Sequence, residues 1–429
     1  MAELSTGMQV KLQGGTSCKI KKELGRGGQG IVYLVDYNGK DYALKWYTMA
    51  CSEAFFQNLE RNAKKGAPSS NFLWPEAVTE HQNGSFGYLM KLRPAGYEEI
   101  GAFMRKKAIF QDVNCLLQAC LQICTAFQKL HLVGLSYQDM NDGNFFINPK
   151  TGDVLICDND NVAPNGVNMG IAGKSGYMAP EIIDKETMPN RYTDYFSLSV
   201  ILFILIYMNR PFEGVKVVSC PCMTEEMEKK LNGKGCVFIL DPNDDSNRPV
   251  KGVHTNVIRR WPLFPKLLRD AFIQTFSREA ITTPNKRLMD RDWQRVLVQV
   301  RSMWVKCPYC GKYTFVQPDV DGQPCIECGK NIAKPAVLNV GRYNIPLVPE
   351  QKIYLCQISS DDDYNKVVCE VIRNPKNPAK WGLTNKSGQQ WTVTLPNGEF
   401  KLVDDGASMP IIPGLKIRFN KEETGVING

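Results

Sequence analysis

A glycine-rich stretch near the N-terminus has residue types that can hold a phosphate group. Its glycines are Gly25, Gly27, Gly28 and Gly30. Glycine lets backbone N–H groups approach phosphate oxygens closely, and Lys45, which follows at hairpin distance, adds one mobile positive charge. Residues 32–35 and 42–45 predict two strands around the turn Asn38-Gly39. The pattern therefore favours a nucleotide-binding hairpin over the strand-to-helix turn that opens a dinucleotide-binding unit.

Acidic and amide side chains farther along the chain have types that can bind a hard cation and accept a proton. Asp139 and Asn144 lie five positions apart within YQDMNDGN at 137–144, and Asp158 begins the triplet DND at 158–160. Carboxylate and amide oxygens are hard ligands that suit Mg²⁺, and a carboxylate can accept or orient a hydroxyl proton. Phosphoryl transfer needs such positioned groups more than it needs covalent chemistry.

Three further motifs follow in order: GYMAPE at 176–181, TDYFSL at 193–198 and PNKR at 284–287. With all six motifs in sequence, the chain resembles the eukaryotic-like (Hanks-type) Ser/Thr protein kinases over roughly residues 15–300. The resemblance implies an α+β, bilobal kinase fold in which Arg287 pairs with Glu181. It also implies transfer of the γ-phosphoryl group of ATP to protein hydroxyls, including autophosphorylation.

The resemblance assigns roles to matching residues. Asp139 would accept or orient the proton of the substrate hydroxyl, while Asn144 and Asp158 would bind Mg²⁺ or Mn²⁺. Met90 would lie at the back of the adenine pocket. The predicted nucleotide-binding residues are Gly25, Gly27, Gly28, Gly30, Val32, Ala43, Lys45, Met90 and Leu92.

Two predictions concern lysine charges. Lys45 would neutralise the α- and β-phosphates while a glutamate from the following helix holds it; spacing predicts Glu60, with Glu53 as the alternative. Asn141 stands where such kinases usually carry a lysine, and Lys174 stands where they usually carry a threonine. One hypothesis is that Lys174 supplies the charge missing at Asn141, and the alternative is a solvent-exposed loop lysine.

Other departures bear on activity. Tyr137-Gln138 replaces the His-Arg pair of the family, so the arginine that clasps a phosphorylated activation loop is absent. Activation by phosphorylation of that loop is then less expected. Asn159-Asp160 replaces a Phe-Gly pair, which removes the usual hydrophobic spine residue and adds a carboxylate that could contribute to the metal site. The leading prediction is an active protein kinase. The alternatives are a nucleotide-binding pseudokinase scaffold and a small-molecule kinase.

A cysteine pattern after residue 304 predicts a metal site. Cys307 and Cys310, then Cys325 and Cys328, give C-x₂-C twice with fourteen residues between. Four thiolates make a closed tetrahedral Zn²⁺ site, whereas a redox-active dithiol, the alternative, needs only one pair. The sequence therefore predicts a structural zinc ribbon.

Composition limits the other classes of function. The 429 residues are 43% hydrophobic, enough for two or three packed domains, and the net charge of +8 includes no long basic run, so no nucleic-acid partner is predicted. The longest apolar run, 198–208, is too short to span a bilayer, and the N-terminus resembles no signal peptide. Fifteen cysteines in a chain without an export signal indicate reduced thiols. We expect a cytoplasmic protein without membrane partners.

Changes in pattern divide the chain into four regions. Residues 15–93 resemble a kinase small lobe, and 94–303 a large lobe with a polar insert at 215–265, in which 225–231 predicts a short helix. The zinc ribbon occupies 304–335. Strand and turn signals then dominate 336–429.

The last region resembles a forkhead-associated β-sandwich. The likeness lies in Gly341-Arg342, residues 382–387 and residues 412–419, but the serine and histidine that hold phosphothreonine in such domains are not evident. A phosphopeptide reader and a structural or docking sandwich both stay open.

Together with FLWP at 72–75, the DND triplet and the cysteine ribbon, the insert motifs at 241–242 and 246–249 resemble a bacterial signalling subgroup. These are kinases of tellurite-resistance-type operons, whose expected partners are a von Willebrand A-type protein and a metal-dependent protein phosphatase.

Overall fold

The N-terminal part of the chain forms one antiparallel sheet with a helix against it. We describe the fold from a computed structural model covering residues 3–82, 84–170, 173–361 and 363–429. The first elements are Gln9–Lys11 (β1), Ser17–Arg26 (β2), Gly30–Tyr37 (β3), Lys40–Tyr47 (β4), Glu53–Lys65 (α1), Ala77–Val78 (β5) and Gly87–Lys91 (β6). The strand order is β1-β2-β3-β4-β6-β5.

The hairpin of β3 and β4 carries Lys45 and begins at Gly30, the last glycine of the glycine-rich stretch. Asn38 and Gly39 have φ angles of 52° and 76°, the left-handed values that a two-residue type I′ turn requires. The register places Val32 opposite Lys45. The predicted hairpin is therefore confirmed, and it fixes the lysine one strand away from the glycine loop.

Helix α1 begins at a serine cap and ends at a glycine. The Ser52 hydroxyl accepts the N–H of Phe55 at 3.2 Å, and Gly66 follows the last turn with a φ of 79°. The buried residues of the helix are Phe55, Phe56, Asn58, Leu59 and Asn62. The aromatic and leucine side chains share an apolar cluster with Tyr47 and Phe86, so this face holds α1 against the sheet.

The next region is mainly helical, with short strand pairs. Its elements are Glu98–Glu99 (β7), Ile100–Met104 (α2), Val113–Leu132 (α3), Leu135–Ser136 (β8), Phe145–Ile147 (β9), Val154–Ile156 (β10), Ala163–Pro164 (β11), Pro180–Ile183 (α4) and Arg191–Tyr207 (α5). Apolar residues recur at three- and four-residue spacing over 113–132, a pattern that predicts a helix, and α3 has these bounds. Because β9 pairs with β10 and β8 pairs with β11, the loop with Asp139 and the loop with Asp158 emerge side by side.

Helix α5 lies at the centre of this region. Every residue from Thr193 to Tyr207 is buried, as expected for a helix that is apolar nearly all round. A capping box fixes its start, with the Asn190 side chain accepting a helix N–H and the Thr193 hydroxyl accepting the Asn190 N–H.

The polar insert is ordered and partly helical. The elements from here to the end of the helical region are Val215–Val218 (α6), Glu225–Asn232 (α7), Thr255–Arg260 (α8), Lys266–Thr275 (α9), Arg278–Thr282 (α10) and Asp290–Met303 (α11). α7 confirms the short helix predicted at 225–231. The buried amide of Asn247 ties the insert together, donating to the carbonyls of Phe212 and Val237 at 2.9 and 2.8 Å and accepting the N–H of Lys216 at 3.1 Å.

The C-terminal part begins with two small hairpins. They are Trp304–Lys306 (β12) with Tyr313–Phe315 (β13), and Gln323–Pro324 (β14) with Asn331–Ile332 (β15). A small core forms here from two of the cysteines and nearby buried side chains, among them Val305, Val316 and Ile332.

Two antiparallel sheets complete the chain. Their elements are Val337–Val340 (β16), Tyr343–Pro346 (β17), Lys352–Tyr354 (β18), Leu355–Ile358 (α12), Val367–Asn374 (β19), Asn377–Asn385 (β20), Trp391–Thr394 (β21), Phe400–Val403 (β22), Ser408–Pro410 (β23), Lys416–Arg418 (β24) and Thr424–Asn428 (β25). The orders are β17-β16-β25-β24-β21-β22 and β18-β19-β20-β23. Both sheets contribute to one apolar core around Trp391.

The chain divides into two compact units. One comprises the residues up to His254 with Ile273–Asp290, and the other comprises Thr255–Phe272 and Arg291–Gly429. α11 groups largely with the second unit because the Gln299 amide donates to the carbonyl of Asn344 at 2.7 Å and accepts its N–H at 2.9 Å. Among the described helices, none has the length and apolarity needed to cross a membrane.

Candidate active site

The glycine-rich loop between β2 and β3 leaves open space where the sequence predicts a phosphate site. The N–H of Gly27 donates to the carbonyl of Gly30 at 2.9 Å and closes the loop. A Cβ at Gly30 would lie 2.2 Å from the Trp46 oxygen, so only glycine fits there. Around Gly25, Gly27 and Gly28, by contrast, no described atom beyond the chain neighbours lies within 4 Å of an added Cβ. A phosphate can therefore approach this backbone closely.

Lys45 is buried, at 5% exposure, and its ammonium contacts three side chains. It donates to Gln29 at 3.0 Å, to Asp158 at 3.3 Å and to Asp160 at 2.8 Å. The predicted partner Glu60 instead accepts a hydrogen bond from Gln13. The predicted Lys45–Glu60 pair is therefore wrong: Glu60 lies off the buried face of α1, and a carboxylate from another loop takes its place.

Asp160 is the most enclosed charge of the site, with no exposed surface. Besides Lys45, it accepts hydrogen bonds from the hydroxyls of Tyr47 at 2.6 Å and Tyr88 at 3.2 Å. Burial alone would lower the pKa of Lys45, but the charges of Asp160 and then Asp158 raise it above its usual value. Burial, then the charge of Asp160, raises the pKa of both tyrosines, so all three donors keep their protons.

The half-buried carboxylate of Asp139 lies in a loop held by amide side chains. Asn141 donates to one of its oxygens at 3.2 Å, and Asn161 contacts the other at 3.5 Å. The amide of Asn144 donates to its main-chain carbonyl at 2.9 Å. Burial raises the pKa of Asp139, against the opposing effects of Asn141 and nearby lysines. This arrangement presents an oriented carboxylate that can accept a proton.

The predicted metal ligands lie on the two adjacent loops. Asp158 has a φ of 51°, a left-handed value that is uncommon outside glycine, and 41% of its side chain is exposed. Asn144 is tied to this loop because its carbonyl accepts the N–H of Cys157 at 2.8 Å. Asp158 thus faces Lys45 while part of its surface stays accessible to a cation.

The structure brings Lys174 to Asn141, as the charge-replacement hypothesis requires. The Lys174 ammonium donates to the amide oxygen of Asn141 at 3.3 Å and to Asp142 at 3.5 Å, and its charge acts to lower the pKa of Asp139. The Lys174 side chain is 60% exposed, so most of its surface contacts solvent, as the alternative of a solvent-exposed loop lysine expects. Its effect on turnover stays a prediction.

Tyr137 substitutes for a histidine as a support of the loop. It is fully buried, its hydroxyl donates to the carbonyl of Cys157, and its N–H donates to Asp194 at 2.8 Å. Asp194 also contacts the buried His131 at 3.1 Å, and Asp290 lies on the other nitrogen of that ring at 2.9 Å. These contacts join the loop of Asp139 to the start of helix α5.

The predicted pair of Arg287 and Glu181 is confirmed. Two guanidinium nitrogens donate to the two carboxylate oxygens at 2.7 Å each, and both side chains are buried. This is the planar two-point geometry for which arginine is suited. It fixes the end of the GYMAPE segment to the loop after α10.

The residues predicted to cover an adenine base share one apolar cluster. Ala43 lies opposite Met90 in the sheet register, and Val32 and Leu92 pack against the same cluster. Leu155, which was not predicted, also belongs to it. The cluster offers an apolar surface of the kind that a base would contact.

The four predicted cysteines form a second candidate site. Their sulfur atoms all lie within 4.8 Å of one another, with Cys307 and Cys328 at 3.9 Å and Cys310 and Cys325 at 3.8 Å. Four thiolates at ~2.3 Å from one Zn²⁺ place their sulfurs about 3.8 Å apart, so the group fits a tetrahedral ion. Each C-x₂-C turn closes on a left-handed glycine, whose N–H donates to the first cysteine's carbonyl at 3.0 and 2.9 Å.

Comparison with known proteins decides the family. The model of the protein kinase domain matches residues 18–234, half of the chain. The chain belongs to the protein kinase family. This confirms the predicted kinase family and, at the level of the family, the α+β kinase fold.

Curated relatives carry protein kinase names. Serine/threonine-protein kinase Sgk1 of Xenopus tropicalis is 27% identical over 203 residues, 44% of this chain and 47% of its own. Probable serine/threonine-protein kinase fhkB of Dictyostelium discoideum is 25% identical over 214 residues, 46% and 18%. Protein kinase YegI of Escherichia coli K12 is 24% identical over 234 residues, 50% and 36%. The chain therefore spans less than half the length of each of these relatives.

Some residues of the kinase site were not assigned from the sequence. Tyr47 lies two residues beyond Lys45 on β4, and Tyr88 lies directly opposite Lys45 on β6. Strand periodicity and cross-strand pairing therefore hold a signal for both. Asn161, which contacts Asp139, follows the DND triplet, where hydrogen-bonding side chains already cluster.

Proposed function

We propose that this kinase is an ATP-dependent protein Ser/Thr kinase that transfers the γ-phosphoryl group of ATP to protein hydroxyls, its own included. The observation that carries the proposal is the convergence of Lys45, Asp158 and the Asp139 loop beneath an open glycine-rich loop. The Ser/Thr names of the relatives support the choice of acceptor.

The residues present fit a nucleotide with its divalent cation. Asp158 and Asn144 offer hard oxygen ligands, which Mg²⁺ or Mn²⁺ prefers, and Lys45 and the open glycine backbone would hold the phosphates. When bound, the cation neutralises charge on the phosphates. The apolar cluster around Ala43 and Met90 would cover the base.

Asp139 is the residue that would act on the acceptor. Its carboxylate is oriented by Asn141 and Asn161, and it accepts or orients the proton of the attacking hydroxyl. Burial raises the pKa of Asp139, which makes it a better proton acceptor than an exposed aspartate.

The sequence leaves two other functions open. A pseudokinase scaffold is disfavoured because Lys45, Asp139, Asn144 and Asp158 are all retained in one site. A small-molecule kinase is disfavoured because the buried Arg287–Glu181 pair supports the segment that builds a peptide platform in protein kinases.

The four cysteines would hold a structural Zn²⁺, a proposal supported by the fit of the sulfur spacing. A redox pair would not need two symmetrical turns. Metal analysis should find one zinc per chain, and Cys310→Ser should reduce it; full occupancy in that variant would contradict the four-thiolate site. The structure describes all fifteen cysteines and joins none of them in a disulfide, which supports a reducing, cytoplasmic location.

Further proposals rest on resemblance. The two C-terminal sheets support a forkhead-associated-like sandwich, either a phosphopeptide reader or a docking unit. The tellurite-resistance-type subgroup, with its von Willebrand A-type and phosphatase partners, stays a prediction. Co-purification of the tagged chain with such proteins would test it.

The proposed activity is tested by offering three acceptors in parallel. The wild type is incubated with ATP and Mg²⁺ or Mn²⁺ and with a basic protein substrate, with a mixture of small hydroxyl compounds, or alone. Phosphorylated serine or threonine in the protein substrate supports the proposal. Transfer to small molecules only, or nucleotide binding without transfer, contradicts it in favour of one or other alternative.

A further inference from the structure

The charge opposite Lys45 comes from an unexpected part of the kinase. We propose that Asp160 is the positioning residue that holds Lys45 for the nucleotide, in place of a glutamate from helix α1. The inference rests on the proposed function, since Lys45 has this role only toward a bound nucleotide. Asp160 occupies the third position of the DND triplet, where the resembling kinases carry a glycine with no side chain.

The contacts of Asp160 use both of its oxygens. One accepts from Lys45 at 2.8 Å and Tyr47 at 2.6 Å, and the other accepts from Lys45 at 3.1 Å and Tyr88 at 3.2 Å. A carboxylate has about four acceptor positions, so Asp160 is saturated by protein donors. Asp160 therefore holds the lysine in place and is not a further metal ligand. The sequence had left open whether Asp160 contributes to the metal site.

Helix α1 supplies no competing charge at this point. Its inward-facing polar residues are Asn58 and Asn62, and both amides donate to the carbonyl of Val162 at 2.8 Å. Amides are neutral and cannot balance an ammonium. Glu60, the predicted partner, accepts a hydrogen bond from Gln13 instead, and Glu53, the alternative, accepts one from Gln57 at 3.0 Å.

Asp160 joins the Lys45 ammonium to the segment that carries Asp158. Asp158 and Asp160 are two residues apart, and both contact the Lys45 ammonium. Tyr47 and Tyr88, which complete the cage, lie on the strands β4 and β6. The lysine is thus fixed by the sheet and the metal-binding segment, and its placement does not depend on an ion pair with α1.

The test is a double-mutant cycle between Asp160→Asn and Lys45→Met. Asp160→Asn keeps the side-chain size and removes the charge. The effects of substitutions on free energy add when two residues act independently and do not add when the residues act through each other. If Asp160 acts through Lys45, replacing Asp160 should therefore change activity only while Lys45 is present. We expect Asp160→Asn alone to lower kcat/KM for ATP about tenfold or more, which is about 1.4 kcal/mol, and to change the Lys45→Met enzyme less than about twofold.

A second readout does not depend on turnover. Binding of a fluorescent ATP analogue is measured in EDTA, where the metal ligands contribute nothing and Lys45 is the main cation on the phosphates. The same coupling should appear in these dissociation constants. If the wild type binds nucleotide but transfers no phosphate, the proposed function fails, and the binding cycle still decides the role of Asp160.

Matched variants complete the design. Asp41→Asn removes an exposed carboxylate on the same strand as Lys45, one that pairs with Lys21 at 2.6 Å, and should leave all readouts unchanged. Tyr47→Phe removes one hydrogen bond to Asp160 but keeps the charge of Asp160. It should cause a smaller loss of kcat/KM than Asp160→Asn, and this loss should also disappear in the Lys45→Met background. Tyr47→Phe replaces Asp160→Asn in the test if Asp160→Asn does not fold. Equal losses from Asp160→Asn or Tyr47→Phe in both backgrounds would overturn the proposal.

Discussion

Replacing Lys174 with methionine tests whether a lysine of the activation segment supplies a charge that the catalytic loop lacks. Its ammonium lies 3.3 Å from the amide oxygen of Asn141, the position where similar kinases carry a lysine. Methionine keeps the length and apolar stem of the side chain and removes only the charge and the donor. The transferred phosphoryl group would then lose one neighbouring cation.

The expected magnitude follows from distance and exposure. Two unit charges 4 Å apart interact by ~1 kcal/mol in water and by ~4 kcal/mol at an effective dielectric constant of 20. Because the Lys174 side chain is 60% exposed, its contribution should lie toward the lower value. An effect of ~1–2 kcal/mol on the transition state lowers kcat by about 5- to 30-fold.

Steady-state phosphorylation of a protein substrate measures this loss. The double variant Lys174→Met with Asn141→Lys should regain most of the activity, since the charge returns from the loop itself. Lys150→Met, which removes an exposed lysine after β9, is the matched control and should behave as the wild type. If Lys174→Met keeps kcat within about twofold of the wild type, the charge-replacement reasoning is refuted.

Three other outcomes are expected. Glu60→Gln should keep kcat within about twofold of the wild type, since Glu60 contacts Gln13 and not the active-site lysine. A tenfold loss of kcat would instead support an ion pair between Glu60 and Lys45. Glu181→Gln should lower the free energy of unfolding by ~3–5 kcal/mol in denaturant titrations, because it leaves the buried Arg287 charge uncompensated; an unchanged midpoint contradicts this. For His131, burial alone would lower the pKa, but its two aspartate partners raise it above 6.5, so its contribution to stability is full below that pH and disappears as pH rises through the raised pKa. Unfolding curves of the wild type and His131→Asn should therefore converge toward alkaline pH, and a constant difference would count against the ionised pairing.

Local patterns predicted the elements well where one signal dominated. The spacing of apolar residues gave α3 its bounds at Val113–Leu132, and the Asn38-Gly39 pair gave the hairpin of β3 and β4. The cysteine spacing predicted the four-sulfur cluster, because two short turns set its geometry with little help from the rest of the fold.

The partner of Lys45 shows where sequence reasoning fails. The spacing along the chain predicted Glu60 as the partner. However, Phe55, Phe56 and Leu59 set the buried face of α1, and with that face turned inward the buried polar residues are asparagines. That amphipathic pattern was present in the sequence and could have excluded Glu60. The burial of Asp160, by contrast, depends on hydroxyls from two strands distant in sequence, so no local pattern could reveal it.

The boundary between the helical region and the C-terminal part was also set by tertiary contacts. Residues 291–303 continue the helical pattern of the preceding lobe, yet they group with the second unit. Buried amides decide this, since Gln351 and Gln357 bond to Ser302 at 3.0 and 2.8 Å. Periodicity identifies a helix but does not identify what it packs against.

The most direct test of the central claim is the intact mass of the wild type and of Asp139→Asn after incubation with ATP and Mg²⁺ or Mn²⁺, together with their effect on a protein substrate. We predict phosphate incorporation on serine or threonine in the wild type and its loss in Asp139→Asn, with nucleotide binding retained in both. Equal incorporation in the two proteins, or none in a wild type that binds nucleotide, would contradict the assignment of this site as a protein kinase centre.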